Sequence, residues 1–315
     1  MPTLVTGGTG FLGRHLLALL AARGERLRAL VREGTNASAL ARLDVEVVRG
    51  DALDPEAVRR AASGCGLVFH LAGLISWETE DLPRLTAVNV DGVRTLLRAV
   101  EPGARVVHVS SVSALGPAPG PDRPADERQE LSPRAERYPY ARTKRDGERL
   151  VLEAVAQGQD VVIANPGYLI GPGDVYRVST FPVGRYLRGL LRVTAPGGLS
   201  YADARDVAAG LVSLAERGRA GERTILTNRD GNLSHTAFFR RVGELTGVRR
   251  RTVEIPPGAA VRLARLTRWP VKPGEVAAAV NWWFYDPAKA ERELGYTSRP
   301  IDETIRDTAA EYLRD

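Results

Sequence analysis

Cysteine is nearly absent. The chain has 315 residues and one cysteine, Cys65, so no internal disulfide can form. A single unpaired thiol fits a reducing compartment. Also missing is any run near the ~18 consecutive apolar residues of a membrane span. The apolar signal starts at once with Leu4-Val5, and no basic segment or cleavage site precedes it. No signal peptide is therefore expected, and the expected location is the cytoplasm. Lysine is scarce as well. Lys144, Lys272 and Lys289 are the only lysines among 44 basic residues, and the rest are arginine. Each lysine is correspondingly informative.

The formal charge of +6 is spread along the chain, with arginines interleaved with Asp and Glu. The one cluster, Arg249-Arg250-Arg251, is too short to define a nucleic-acid footprint. Neither nucleic acid nor membrane is an expected partner. A diffuse positive field does suit a polyanionic cofactor or substrate. The hydrophobic fraction of 43% allows a sizeable core, in one large domain or two small ones.

Short apolar runs alternate with helical patterns. Leu4-Val5, 27–31, 45–48, 67–71, 105–109 and 161–164 read as strands. Helices are predicted over 11–22, 54–62, 82–100 and 138–156. Gly24 is placed to end the first helix, and Asp54-Pro55 supplies an N-cap followed by proline at N1. The segment 116–133 is too rich in proline for a helix or central strand. This pattern predicts an α/β fold, a doubly wound parallel sheet of the Rossmann kind with a smaller, mostly C-terminal substrate-binding lobe. The dinucleotide-binding domain is assigned to 1–165, with 201–227 returning to it. The lobe takes 166–200 and 228–315.

The first strand runs into Thr6-Gly7-Gly8-Thr9-Gly10-Phe11-Leu12-Gly13, which opens the first helix. Glycines permit the tight turn and the close approach of backbone to a pyrophosphate, and the helix N-terminus offers free N–H groups. Gly7, Gly10, Phe11, Leu12 and Gly13 are thus candidate cofactor residues. Strand two ends Leu30-Val31-Arg32 rather than in an acid, so Arg32 is placed to take a 2′-phosphate. This favours NADP(H). A small register shift would instead make Glu33 a ribose ligand, with NAD(H) as the alternative. Asp51, with Ala52 beside it, reads either as an adenine ligand or as a loop cap. Leu71-Ala72-Gly73 closes strand four, where backbone should pass under the adenosine, though Gly73 also reads as a plain strand terminator.

Tyr140 and Lys144 stand four apart on one helix face. A free phenol titrates near 10, too high for acid/base work at neutral pH, and a nearby ammonium lowers it. Ser110-Ser111 ends strand five, where an open α/β sheet binds ligands. A serine there can donate to a carbonyl oxygen, or can simply satisfy turn backbone.

Together the glycine turn, Asp51, Leu71-Ala72-Gly73, Asn89-Val90-Asp91-Gly92, Val109-Ser110-Ser111 and Tyr140-x-x-x-Lys144 resemble the extended short-chain dehydrogenases/reductases. So do Asn165-Pro166-Gly167, Gly171-Pro172-Gly173-Asp174, Asp203-Ala204-Arg205-Asp206-Val207-Ala208 and the tail from Asp286 to Tyr296. The resemblance spans nearly the whole chain. It implies a catalytic Ser111, Tyr140 and Lys144, with Tyr140 and Lys144 also touching the cofactor. It places Asn89 beside that cofactor and the Pro166 backbone against the nicotinamide amide. It further implies a homodimer formed through the helices at 82–100 and 138–156.

Family members of the sugar-nucleotide kind usually carry an arginine before the Asp-Val-Ala helix to hold a diphosphate. Here that position is Leu199. Arg177, Arg185 and Arg188 lie nearby and only partly replace it. Trp77, Tyr168 and Phe181, with Ser111, are expected to line a pocket for a mostly apolar carbonyl compound. Tyr186, Trp282 and Trp283 fall in similar segments, and for Trp282-Trp283 core packing is an equal reading. The expected reaction is NADP(H)-dependent interconversion of an aldehyde or ketone with its alcohol. A nucleotide-sugar epimerase/dehydratase is the alternative. A non-catalytic NADP(H)-binding sensor is a third, disfavoured because such members lose the tyrosine or lysine. No metal is expected.

Overall fold

The computed structural model describes residues 1–38, 40–267 and 272–314. From the N-terminus come β1 (Thr3–Thr6), α1 (Phe11–Ala22), β2 (Leu27–Val31), β3 (Val45–Arg49), α2 (Pro55–Ala62) and β4 (Leu67–His70). Then follow α3 (Leu82–Thr86), a π-helical segment Ala87–Asp91, α4 (Gly92–Ala99), β5 (Arg105–Val109), α5 (Pro139–Ala156) and β6 (Asp160–Pro166). The remainder is β7 (Tyr168–Ile170), α6 (Phe181–Leu187), β8 (Val193–Thr194), β9 (Gly198–Asp203), α7 (Ala204–Arg217), β10 (Arg223–Leu226), β11 (Asn232–Ser234), α8 (His235–Thr246), β12 (Val253–Glu254), α9 (Pro257–Thr267), α10 (Pro273–Ala279), β13 (Trp282–Trp283), α11 (Ala288–Leu294) and α12 (Ile301–Leu313).

Seven strands pair in parallel in the order β10-β6-β5-β4-β1-β2-β3. This is the doubly wound order, with its switch point between β1 and β4. Strands buried on both faces must be apolar throughout, and Leu4, Val5, Val68 and Phe69 are fully buried. One face is packed by α1 and α7 through Leu16, Leu20, Val207 and Leu211. The other is covered by α2, α4 and α5 through Val58, Leu96 and Val151. Asp54 caps α2 by accepting the Glu56 N–H at 3.0 Å, and Gly24 ends α1 at φ +75° with its N–H on the Ala21 carbonyl.

Two details differ from the sequence reading. The helix predicted over 82–100 is broken by the π segment, against which α5 packs so closely that a Cβ on Gly147 would lie 2.6 Å from the Asn89 carbonyl oxygen. The division at 228–315 also shifts. Ala290 and Leu294, i and i+4 on α11, join Tyr296 in the core beside α1 and α7 rather than in the lobe.

The lobe is built on β9, which pairs with β11, β13 and β7. Its helices α6, α8 and α12 pack around Tyr186, Phe238, Phe239 and Ile305. A second apolar cluster, containing Tyr138, Trp283 and Tyr285, roofs the carboxyl ends of the large sheet.

Candidate active site and dinucleotide cleft

The ends of β1, β4, β5 and β6 bring most of the candidate residues together. Behind β1 the glycine turn is set by close approach. Gly7 sits at φ +71°, and a Cβ there would lie 2.8 Å from the Leu71 carbonyl carbon and 2.9 Å from the Ala72 nitrogen. A Cβ on Gly13 would be 2.3 Å from the Gly7 oxygen. Gly10 is the N-cap of α1 and has no side chain to cap it. The Arg14 N–H is the first to close onto the helix, at 3.1 Å from the Gly10 carbonyl. The N–H groups of Phe11, Leu12 and Gly13 are left to face the cleft. Backbone donors, a helix dipole and a turn no side chain could fill fit the pyrophosphate of a dinucleotide.

Arg32 is exposed past the end of β2. Its carbonyl accepts Arg49 Nη1 at 3.2 Å, and the same guanidinium reaches the Thr35 carbonyl at 2.9 Å. Arg49, which the sequence reading overlooked, thus braces the loop that presents Arg32. Arg28 is committed elsewhere, to Glu46 at 2.9 Å and to the Ala61 and Ser63 carbonyls. Asp51 Oδ1 accepts the Leu53 N–H at 2.9 Å, so its structural role is to shape the turn that includes Ala52.

Past β4, Leu71 and Ala72 are tied to β1 by the Thr6 carbonyl and hydroxyl. A Cβ on Gly73 would be 3.2 Å from Lys144 Nζ and 3.4 Å from Asn89 Oδ1, so these three residues meet. Asn89 is buried in the π segment and fully used. Its Oδ1 accepts the Leu74 N–H at 2.9 Å, while Nδ2 donates to the Leu74 carbonyl and to Thr143 Oγ1. It fixes the loop beside Lys144.

Ser111 lies just past β5 and accepts the Ser113 N–H at 3.1 Å. Tyr140 is the second residue of α5, and its phenol lies near enough to the Ser111 side chain to be influenced by it. Burial pushes its phenol up to about 12, against a smaller downward pull from Ser111. Lys144 Nζ donates to the Val109 carbonyl at 3.1 Å, and burial pushes this ammonium down to about 8, with Glu148 opposing. The sequence reading expected the lysine to lower the phenol. The net shift is the other way, because desolvation disfavours both charged forms.

Beneath the pair lies a network the sequence reading missed. Glu148 continues the face of Tyr140 and Lys144 at i+8 and is fully buried. It accepts from Asn165 Nδ2 at 2.6 Å and from Arg223 Nε at 2.7 Å. Asn165 also donates to the Ser111 carbonyl at 3.0 Å. The i, i+4, i+8 spacing was the available signal. His70 and His108, neighbours on β4 and β5, stack with centroids 5.7 Å apart. Burial, and secondarily the Lys144 charge, hold His70 down to about 3.

Trp77 is brought to the site. Its ring stands 5.4 Å from Tyr140 and 5.4 Å from Trp283, with Tyr138 at 6.0 Å. Tyr168 and Phe181 are placed differently. Tyr168 packs on Tyr201 and donates to the Ser179 carbonyl, in the lobe cluster. Phe181 is exposed, with the Arg185 guanidinium over its ring. Pro166 ends β6, buried opposite Leu226. Leu199 is an apolar member of β9 between Leu233 and Trp283. Arg177 and Arg188 lie over the Tyr312 ring instead of converging on Tyr140.

Residues 3–227 match the family described as the NAD dependent epimerase/dehydratase family. The chain is 36% identical over 263 residues to sterol demethylase protein B of Methylococcus capsulatus, covering 82% of this chain and 78% of that one. It is 32% identical to the 4-hydroxy-2-methyl-3-oxo-4-farnesyl-3,4-dihydroquinoline-1-oxide ketoreductase of Stigmatella aurantiaca, over 95% of this chain and 92% of the other. Among solved structures, a nucleoside-diphosphate-sugar epimerase from Pseudomonas aeruginosa superposes with a TM-score of 0.81 at 27% identity, covering 100% of this chain and 98% of that one. With the glycine turn and the Ser111, Tyr140 and Lys144 arrangement in place, the chain belongs to the NAD dependent epimerase/dehydratase family and is an NAD(P)-dependent oxidoreductase of the extended short-chain dehydrogenase/reductase type.

Proposed function

We propose that this protein reduces an apolar aldehyde or ketone to its alcohol, and runs the reverse reaction, with NADP(H) and with Tyr140 as general acid/base. The observation that carries this reading is the Tyr140 phenol, beside Ser111 and walled by the Trp77 ring at 5.4 Å. When bound, the cofactor supplies the hydride. Ser111 and Tyr140 donate to the substrate carbonyl oxygen and stabilise the charge that develops there. Tyr140 passes its proton to the forming alkoxide. A phenol held at about 12 is protonated at neutral pH, which is the form that reduction needs. Lys144 stabilises the phenolate left behind, and Glu148 and Asn165 hold the Lys144 helix and the Ser111 backbone in register.

The preference for NADP(H) rests on Arg32, which is exposed past the end of β2, has no ion pair among the described residues and would be free to meet a 2′-phosphate. An apolar substrate is supported by the aromatic wall, by Leu199 at the diphosphate-clamp position, and by relatives named for a sterol and for a farnesyl-bearing ketone. The test is NADPH oxidation by purified protein against panels of apolar aldehydes and ketones and of uridine and thymidine diphosphate sugars. Turnover is expected with the first panel alone. Saturable epimerisation or dehydration of a nucleotide sugar would replace this reading with the epimerase/dehydratase one.

A further inference from the structure

The outer end of the lobe is formed by residues 185–194, 249–254 and α9. Parallel pairing of β8 with β12 sets Val193 beside Val253, and both are exposed. Leu190 precedes β8 and is 56% exposed. α9 starts three residues after β12. Its buried side is Ala260 and Ala264, while Ala259, Leu263 and Leu266, at i, i+4 and i+7, form an outward face. Leu266 is 84% exposed. A soluble helix normally turns such a face inward.

Charge surrounds these apolar residues and is of one sign. Arg188, Arg192, Arg249, Arg250, Arg251, Arg262 and Arg265 are all exposed. None makes an ion pair among the described residues, whereas Arg240 and Arg241 on α8 pair with Glu244 and Asp302. Glu254 is the one acidic residue in 185–195 and 247–267, and it is engaged by Thr236 Oγ1 at 2.8 Å. The run Arg249-Arg250-Arg251, too short by itself to define a binding surface, is joined here by arginines from two other segments.

We propose that this end docks on an anionic phospholipid surface, with the leucines and valines entering the headgroup boundary and the arginines meeting lipid phosphates. Apolar burial and cationic attraction are the two contributions that hold a helix in a membrane interface. Exposed aliphatic side chains contribute nothing to a nucleic-acid backbone, and no aromatic for base stacking is exposed among the described residues of these segments. The surface also has a defined relation to the active site. α9 packs on α10. The Gly274 N–H of α10 donates to Glu78 Oε1 at 2.8 Å, and its Ala277 and Ala278 carbonyls accept from Tyr138 and Trp283. α10 therefore lies between the docking face and the aromatic wall around Tyr140. Among the described residues no helix is long and apolar enough to cross a membrane, and the proposal sets aside the expectation of no membrane partner at the surface only.

The experiment is co-sedimentation of the full chain with vesicles of phosphatidylcholine alone or with 30 mol% phosphatidylglycerol, without substrate, so it is read independently of the reaction proposed above. Binding is expected to the anionic vesicles only and to fall steeply with salt. Reversing two arginines, Arg249→Glu with Arg251→Glu, is expected to weaken it at least about tenfold. Leu263→Ser with Leu266→Ser is expected to weaken it with the charge retained. Both variants should keep turnover of a small water-soluble carbonyl, which shows that they fold. Equal binding to both vesicles, binding to neither, or unchanged binding by the charge-reversed variant would overturn the proposal. Tighter binding to duplex DNA or RNA than to the anionic vesicles would replace the lipid with nucleic acid.

Discussion

In the body of the molecule the least exposed arginines are bound to acids. Arg223 joins Glu148 and Glu130 at 2.7 Å each, and Arg205 joins Asp203 and Asp307. Arg299 spans Asp206 and Glu303. At the outer end of the lobe the arginines face solvent among exposed aliphatics and form no ion pair among the described residues. The same residue type thus fixes geometry in one place and supplies an unspent field in the other. Buried charges must be paired, because leaving one partner alone in a low dielectric is costly. Exposed charges tolerate being alone, and whatever favours them there must come from outside the chain.

The largest effect should fall on the group that the paired body positions. Tyr140→Phe removes one hydroxyl and should lower kcat by about 10²–10⁴, the usual worth of a placed acid/base. Cofactor binding should remain near that of the wild type. Single-turnover rates on the best carbonyl substrate make the measurement, and near-wild-type turnover would remove Tyr140 from the reaction.

Glu148→Leu strikes the network itself. It strands the buried Arg223 side chain and one donor of Asn165. A cost of about 3–5 kcal/mol is expected in urea unfolding. A loss below about 1 kcal/mol would mean that Arg223 finds solvent or relies on Glu130, and the comparison between body and outer end would lose its main support.

Much of this was legible in the residues. Periodicity gave the strands and helices of the parallel sheet, because doubly buried strands must be apolar and the covering helices amphipathic. The glycine turn was legible because only glycine fits where Leu71 and Ala72 press on Gly7. Spacing and strand ends marked Tyr140, Lys144 and Ser111 as candidates, and the family resemblance implied their catalytic roles. Partners joined across the fold were not legible. Glu148 had only its i+8 spacing from Tyr140 and Asn165 only its place in a family motif, and nothing local joined either of them to Arg223. Tyr168 and Phe181 were expected at the pocket from the segments they occupy, but β7 carries Tyr168 into the lobe cluster and the start of α6 leaves Phe181 exposed. The direction of the Tyr140 shift depended on burial, which a sequence pattern does not measure.

Arg32 is the exposed arginine in the body that most resembles those of the outer end, and its proposed partner is the cofactor. Arg32→Asp should lower the NADPH-over-NADH preference by about 10–100-fold, the worth of one charge-assisted hydrogen bond. Dissociation constants from fluorescence quenching would show it. Equal affinities in the wild type would leave Arg32 without this role.

Lys144 is the buried cation whose nearest acid, Glu148, is spent on other partners. Burial holds it at about 8, below the ordinary 10.5. Between those values the unfolded chain keeps a proton that the folded chain has released, so stability should rise with pH across that window. Lys144→Met should abolish the rise. Below pH 8 it should also be the more stable protein, by about 1–2 kcal/mol, after loss of the bond to Val109 is subtracted from the relief of desolvation. It should have almost no reductase activity. In the wild type, reduction should fall as pH rises through about 8, because the charge that stabilises the phenolate is lost. Urea midpoints from pH 7 to 10 decide the first point, and a pH-independent midpoint difference between the two proteins would defeat it.

The smallest effect expected is also the one that compares the two regions most directly. Arg223→Ala and Arg251→Ala make the same chemical change. The first uncovers Glu148, which is fully buried and has Asn165 as its one other side-chain hydrogen-bond partner among the described residues. A loss of several kcal/mol follows, by the same reasoning as for Glu148→Leu. Arg251 is exposed and pairs with no acid among the described residues, so its removal breaks no ion pair there. Its loss should change unfolding free energy by no more than about 0.5 kcal/mol in either direction. The net repulsion among seven exposed arginines makes a slight gain the favoured sign, largest at low salt. If Arg251→Ala instead costs more than about 1 kcal/mol at all salt concentrations, that arginine is held by contacts within the fold, and the outer end is built on the same paired principle as the body.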